Sequence, residues 1–110
     1  MLNKDYWVYI LLCENQSYYT GYTDNLAKRY QSHINRTGRC KYTRSFKPIA
    51  IAQSWCVIGD KHLAMHLERE IKKKSKLEKT ELIRQPSLLS KDPRVQPCKE
   101  KVNVLVQSEH

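Results

Sequence analysis

The chain has 110 residues, of which 40% are hydrophobic and 28% charged, and it carries a formal net charge of +9 at neutral pH. A chain of this length builds one modest hydrophobic core, which excludes a second catalytic domain. The excess of positive charge predicts a polyanionic partner, with nucleic acid as the first candidate.

Cysteine spacing and hydropathy indicate the cellular compartment. Four cysteines, at positions 13, 40, 56 and 98, lie far apart in the sequence. They lack the close pairs that are typical of zinc sites, so neither zinc nor a disulfide framework is expected. The apolar run at residues 7–13 is too short to span a bilayer, and no charged leader with a long apolar region is recognised. We therefore expect a cytoplasmic protein with reduced thiols and no membrane partner.

A β-hairpin is predicted near the start of the chain. Residues 6–13 are continuously apolar, which is typical of a central strand covered on both faces. After a polar break, residues 18–22 predict a second strand that pairs with the first. A three-residue loop would pair Tyr9 with Gly21 and would place Tyr9 and Tyr19 on one face. A two-residue turn would put the two tyrosines on opposite faces.

A helix is expected after the hairpin. Asp24 is the predicted N-cap, because a short acidic side chain can accept hydrogen bonds from the first turn. Leu26, Tyr30 and Ile34 recur at helical spacing and should face the core. Beyond a basic loop, residues 49–57 predict a third strand.

Two further helices are predicted in the second half of the chain. Asp60 is the next N-cap, and Leu63, Leu67 and Ile71 form a stripe that should be buried. Ser75 and the glutamate three positions later fit a capping box, which separates this helix from the next one.

These elements predict one α/β (α+β) domain over residues 1–85, with a short antiparallel sheet of about three strands flanked by helices. Residues 86–110 contain three prolines and few large apolar side chains. This composition predicts a C-terminal tail that is partly disordered. The apolar run at residues 102–106 is an alternative strand that could pair with a sheet edge of the same molecule, of a second copy in a homodimer or of a protein partner.

Basic residues cluster in two segments of the chain. Residues 25–59 contain no acidic side chain. The candidate DNA-binding residues are Lys28, Arg36, Arg39, Lys41, Arg44 and Lys47 in the first segment, and Lys72 and Lys73 in the second. Such segments can follow a phosphate backbone, and each contact adds affinity through counterion release. The alternative is an ordinary solvated surface.

Several short motifs follow one another in a recognisable order. The triplet at residues 7–9 ends in Tyr9, and the triplet at residues 19–21 begins with Tyr19 and ends with a glycine. Arg29 and His33 follow on the first helix, and Glu68 lies on a later one. This ordered set resembles the GIY-YIG nuclease family over about residues 6–85.

Two positions depart from the signature that gives the family its name. Trp7 stands at the position of its first glycine, and Thr20 at the position of its second isoleucine. Neither departure removes a reactive group.

The resemblance implies a GIY-YIG endonuclease-like fold and hydrolysis of DNA phosphodiester bonds, at branched or damaged DNA, with a single divalent ion, Mg²⁺ or Mn²⁺. Glu68 would bind the ion, and Arg29 would grip the scissile phosphate. Tyr9, Tyr19 and His33 would arrange proton transfer, since an ordinary imidazole titrates near working pH. One carboxylate suffices for such an ion when waters and phosphate oxygens complete its coordination.

Each candidate residue also has an ordinary structural interpretation. Glu68 fits a helix glutamate paired with Lys72, and the two tyrosines fit strand aromatics of the core. Gly21 would either allow DNA to approach the backbone closely or mark a bulge. For the whole chain, the alternatives are a noncatalytic nucleic-acid-binding module and an accessory subunit that is active only with a partner.

Overall fold

The structure is a computed structural model, and it describes residues 4–35 and 46–98. In chain order, its elements are strands β1 (Tyr6–Cys13) and β2 (Tyr18–Thr23), helix α1 (Leu26–Asn35), strand β3 (Pro48–Val57), helices α2 (Lys61–Lys72) and α3 (Lys76–Arg84), a 3-10 helix (Pro86–Leu89) and strand β4 (Val95–Pro97). The strands form one antiparallel sheet in the order β2-β1-β3-β4. The α+β class with an antiparallel sheet is confirmed, but the prediction of about three strands is wrong because β4 is a fourth.

The fourth strand is short and contains a proline, which is why its pattern was not recognised. β4 pairs with the end of β3, where Val95 lies opposite Val57 and is only 1% exposed. Pro97 is tolerated because β4 is an edge strand, where a missing amide need not break a ladder. Part of the segment predicted as a tail therefore packs on the sheet, and the run at residues 102–106 lies outside the described residues.

The hairpin has the register that a three-residue loop predicts. The Cys13 amide donates to the Ser17 carbonyl across the loop, at 2.9 Å. Gln16, the last loop residue, has a φ of 67°, the left-handed conformation that closes many loops of this length. Tyr9 consequently lies opposite Gly21, and both tyrosines of the predicted site share one face of the sheet.

The sheet separates two hydrophobic clusters. On one face, α1 packs Tyr30 against alternate residues of β1, beginning at Tyr9. On the other face, α2 packs Ala64 and Ile71 against the intervening residues of β1, beginning at Val8. Successive side chains of a strand point to opposite faces. Helices α1 and α2 therefore lie on opposite sides of the sheet.

Two of the three predicted helix N-caps are confirmed. Asp60 accepts a hydrogen bond from the amide three residues on, and Ser75 forms a reciprocal capping box with Glu78. In α1, Asn25 Oδ1 accepts from the amide three residues on, at 3.0 Å. Asn25 is therefore the N-cap, and the prediction of Asp24 is wrong by one residue, because the helix begins at Leu26. None of the described helices is both long enough and apolar enough to cross a membrane.

Candidate active site

A buried tyrosine–histidine pair lies between β1 and α1. Tyr9 is 2% exposed and His33 is 1% exposed. Tyr9 Oη lies 2.9 Å from His33 Nε2, and the two rings meet edge to face at a centroid distance of 5.8 Å. Depending on the tautomer, the hydroxyl donates to Nε2 or the ring N–H donates to Oη. Leaving one partner of such a buried bond unsatisfied costs about 1–3 kcal/mol.

The imidazole of His33 is held in its neutral form. Burial, and then the positive charge of Arg29 one turn earlier, lower the pKa of His33 from 6.5 to about 4. The expected titration near working pH therefore does not hold for the protein alone. An imidazole whose pKa is lowered to about 4 is a weak acceptor for the proton of a phenol. The pair is thus suited to fix Tyr9 in position and poorly suited to shuttle its proton.

Tyr19 and Gly21 complete the environment of this pair. The Tyr19 ring centroid lies 5.1 Å from that of His33 and 6.4 Å from that of Tyr9, and Tyr19 is half-buried. A Cβ atom at Gly21 would lie 2.6 Å from Tyr9 Oη and 3.2 Å from Tyr19 Cε2. Glycine is needed here because the rings pass so close to the backbone. The β1–β2 register continues through Gly21 without a shift, so the bulge interpretation is wrong, and close approach of DNA stays a prediction.

We call Tyr9, Tyr19 and His33 the aromatic cluster. Arg29, half-buried on α1, lies close enough to the cluster to lower the pKa of His33. It also lines an open cavity of about 280 Å³, whose walls are Thr23, Asp24, Asn25, Lys28, Arg29 and Ser32. Four of these residues were not predicted as site residues: Thr23, Asp24, Asn25 and Ser32. Helical spacing was the available signal for two of them, since Asn25 lies four residues before Arg29 and Ser32 three after it.

Glu68 lies on a different helix from Arg29 and His33. It lies on α2, on the opposite face of the sheet from α1. Its side chain is 17% exposed, and its Oε2 lies 3.5 Å from Lys72 Nζ. No hydrogen bond or ion pair within the described part of the chain joins Glu68 to Arg29 or to the cluster. Helix α2 packs on both β1 and β2, and β2 is the edge strand, so the edge of the sheet is the boundary between the two groups.

The donor set around Glu68 restricts the kind of metal site that is compatible with the structure. Residues 4–35 and 46–98 contain no cluster of three or more His, Cys, Asp or Glu side chains able to hold an ion. A closed site made only of protein ligands is therefore absent from this part of the chain. Mg²⁺ retains several waters and often needs only one or two carboxylates together with substrate phosphates. Glu68, which is partly buried and contacts a single lysine, fits the role of a lone carboxylate ligand.

The predicted DNA-binding lysines are exposed where the structure describes them. Lys28, on α1, and Lys47, just before β3, are both exposed. Lys72 and Lys73, at the end of α2, are also exposed and form surface ion pairs with Glu68 and Glu70. The remaining candidates lie outside the described residues; they are Arg36, Arg39, Lys41 and Arg44.

A family model and several known proteins are similar to this chain over most of its length. The family model of the GIY-YIG catalytic domain matches residues 5–81. A UPF0213 protein of Fusobacterium nucleatum is 38% identical over 87 residues, which cover 79% of this chain and 85% of that protein. A UPF0213 protein of Oceanobacillus iheyensis is 42% identical over 82 residues, which cover 74% of this chain and 93% of that protein.

One solved structure is also similar to this chain. The solution NMR structure of a UPF0213 protein from Bacillus halodurans is 33% identical, with a TM-score of 0.48, over 79% of this chain and 94% of that one. GIY-YIG domains constitute a nuclease superfamily. Because the family model spans more than half of the chain and the relatives are matched over most of their length, the chain belongs to the GIY-YIG family, as a small member similar to the UPF0213 proteins.

Proposed function

We propose that the protein is a divalent-metal-dependent endonuclease that hydrolyses DNA phosphodiester bonds at branched or damaged sites. The observation that carries the proposal is the convergence of Tyr9, Tyr19 and His33 into one cluster beside Arg29 and an open cavity. These residues come from three different elements, β1, β2 and α1. Core packing alone does not require a buried histidine with a lowered pKa next to an arginine.

Arg29 is the residue that binds the scissile phosphate in this proposal. Its planar guanidinium can donate two parallel hydrogen bonds to phosphate oxygens, and its charge opposes the negative charge that builds up in the transition state. The neighbouring Lys28 is exposed and adds a second positive charge to the same cavity. A bound phosphate would offset the charge of Arg29, so we expect the pKa of His33 to rise when DNA binds.

The two tyrosines have different roles in this proposal. Tyr9 is 2% exposed and hydrogen-bonded to His33, so it acts as a positioning residue that supports its neighbour. Tyr19 is half-buried on the edge strand and can reach solvent, so we assign it the orientation of the attacking water. An ordinary phenol is protonated at neutral pH, so Tyr19 could accept a proton from the water only if nearby positive charge stabilised its phenolate form.

Glu68 would hold the metal ion, Mg²⁺ or Mn²⁺. A bound ion supplies charge neutralisation at the phosphate and lowers the pKa of coordinated water. Because the helices that carry Glu68 and Arg29 lie on opposite faces, a phosphate that contacts both groups must lie at the edge of the sheet, at β2. The exposed lysines at the end of α2 extend the positive surface on the Glu68 side.

A matched pair of variants on one helix tests the metal assignment. Glu68 and Glu70 both lie on α2 and each pairs with a lysine, Glu68 at 3.5 Å and Glu70 at 3.3 Å. Purified protein is incubated with branched and linear DNA, with and without Mg²⁺. We expect Glu68→Gln to slow Mg²⁺-dependent cutting by at least about 100-fold, the scale of losing one electrostatic group of an active centre. Glu70→Gln should change the rate by less than about 5-fold, since surface ion pairs contribute little.

The outcomes separate the proposal from its alternatives. Cutting that survives Glu68→Gln would refute the metal assignment. Salt-sensitive binding without metal-dependent cutting of any substrate would instead support a noncatalytic nucleic-acid-binding module.

A further inference from the structure

The two tryptophans of the chain have different surroundings. Trp55 is fully buried in the core, and its Nε1 donates to the Pro86 carbonyl at 2.9 Å. Trp7 is half-buried and belongs to neither hydrophobic cluster. Within the part of the chain that the structure describes, the Trp7 indole forms no hydrogen bond or aromatic contact. Tryptophan is enriched at interfaces, because it combines a large apolar surface with a polar N–H group.

Trp7 lies on the same face of the sheet as the aromatic cluster. It pairs with Thr23 across the hairpin, two residues before the pair formed by Tyr9 and Gly21. Two residues of strand correspond to about 6.8 Å, the scale of one nucleotide in a stretched single strand. The position of Trp7 therefore matches a nucleotide next to the one that the aromatic cluster would meet.

The cavity beside Trp7 adjoins the Arg29 cavity. Trp7 lines an open cavity of about 550 Å³ together with Lys4, Asp5, Asp24, Asn25 and Lys28. The last three of these residues also line the cavity of Arg29. The two cavities therefore lie side by side, with the guanidinium lining one and the indole lining the other, and we call them together the trough.

The two halves of the trough have different charges. The Arg29 half contains two cationic side chains and one carboxylate, which suits a phosphate. The Trp7 half contains two lysines and two carboxylates, and Lys4 pairs with Asp24 at 3.2 Å. This half is close to neutral and combines an aromatic surface with hydrogen-bond donors and acceptors. A nucleobase, with its π-face and polar edges, fits those properties better than a second phosphate does.

We propose that Trp7 stacks on an unpaired nucleobase adjacent to the phosphate that Arg29 binds. The inference rests on the proposed function, because Arg29 marks the position of the phosphate. A paired base is already stacked on its neighbours and does not expose its face, so the base that Trp7 contacts must be unpaired or displaced. The substrate class is consequently DNA with a single-stranded nucleotide beside the cleaved bond, such as a single strand or a flap.

The test compares two oligonucleotides that differ only in their bases. One is a short oligothymidylate, and the other is an abasic strand with the same number of phosphates. Binding is measured without metal and at fixed salt, for the wild type, Trp7→Ala and Trp7→Phe. The control is Leu77→Ala, which alters a side chain that is 75% exposed on α3.

We expect Trp7→Ala to weaken binding of oligothymidylate by about 5- to 150-fold, the range measured for removal of one base-stacking aromatic. Trp7→Phe should weaken it less, and Leu77→Ala should leave it unchanged. The abasic strand should bind all four proteins alike. Oligothymidylate should also quench the fluorescence of the wild type but not of Trp7→Phe, whose remaining tryptophan is fully buried. Equal losses on both oligonucleotides, or unchanged binding and fluorescence, would overturn the inference.

The result does not depend on whether the protein cuts DNA. Stacking by Trp7 in a protein that never cleaves would contradict the proposed function and leave this inference standing. Metal-dependent cutting combined with a Trp7→Ala variant that binds oligothymidylate as the wild type does would refute this inference alone.

Discussion

Gly21→Ala should disturb the candidate site through a single added methyl group. That group would lie 2.6 Å from Tyr9 Oη and 2.8 Å from Tyr9 Cζ, well inside van der Waals contact. The Tyr9 ring is buried, and its Oη is hydrogen-bonded to His33 Nε2 at 2.9 Å, so the ring cannot move without breaking that hydrogen bond. The substitution should therefore destabilise the fold and detach Tyr9 from its partner.

The magnitude follows from three contributions. Overpacking a core position costs about 1–3 kcal/mol, and a buried hydrogen bond broken on one side costs about 1–3 kcal/mol more. Replacing a glycine within a strand by alanine raises the free energy of unfolding by about 0.5–1 kcal/mol, because the unfolded chain then has less conformational freedom to lose. The free energy of unfolding should fall by about 1–5.5 kcal/mol. For a domain of this size, each kcal/mol corresponds to about 4–8 °C in Tm.

Urea unfolding followed by circular dichroism measures this loss, and a double-mutant cycle with Tyr9→Phe identifies its origin. Tyr9→Phe already removes the bond to His33, so the two substitutions should together cost about 0.5–3 kcal/mol less than the sum of their separate effects. A Gly21→Ala variant with the stability of the wild type would refute the reasoning. So would fully additive costs, since they would mean that Gly21 does not act through Tyr9.

Three further predictions concern charge and the edge of the sheet. The pKa of His33 is about 4 in the folded protein and 6.5 in the reference state, so the unfolded chain takes up the proton first as pH falls. The free energy of unfolding should then decrease by about 3 kcal/mol between pH 6.5 and pH 4. Urea titrations at several pH values measure this decrease, and a flat profile would contradict it. The control is His62→Gln, which alters an exposed histidine of α2 and should preserve the decrease. Arg29→Ala should raise the pKa of His33, which NMR titration measures. The same substitution should slow DNA cutting by at least about 100-fold. An unchanged pKa of His33 would mean that the guanidinium does not act on the imidazole. Truncation after Gln85 deletes β4 and its buried valine and should lower the free energy of unfolding by at least about 2 kcal/mol. A truncated chain that unfolds at the same urea concentration as the full chain would show that β4 does not contribute to stability.

Local rules account for the parts of the fold that were predicted correctly. The register of Tyr9 opposite Gly21 follows from the length of one loop and the two-residue period of a strand. The capping box at Ser75 and the N-cap at Asp60 follow from short-range side-chain chemistry. Each of these features depends on residues that are close together in the sequence, so each can be predicted from the sequence.

Long-range packing accounts for the parts that were not predicted. The burial of His33 depends on how α1 docks on the sheet, which no spacing within α1 determines. The placement of Glu68 and Arg29 on opposite sides of the sheet at the level of their helices arises because α1 and α2 follow different strands. The cavity beside Trp7 likewise forms only when the start of β1 meets the start of α1.

The most direct test of the central claim is a crystal of the protein with Mn²⁺ and a DNA strand whose scissile bond resists hydrolysis, analysed by anomalous scattering. The account predicts one Mn²⁺ bound to the Glu68 carboxylate, with the phosphate that coordinates it also bound by the Arg29 guanidinium at the β2 edge. An ion bound elsewhere, or a phosphate at Glu68 that contacts neither Arg29 nor Tyr19, would contradict it.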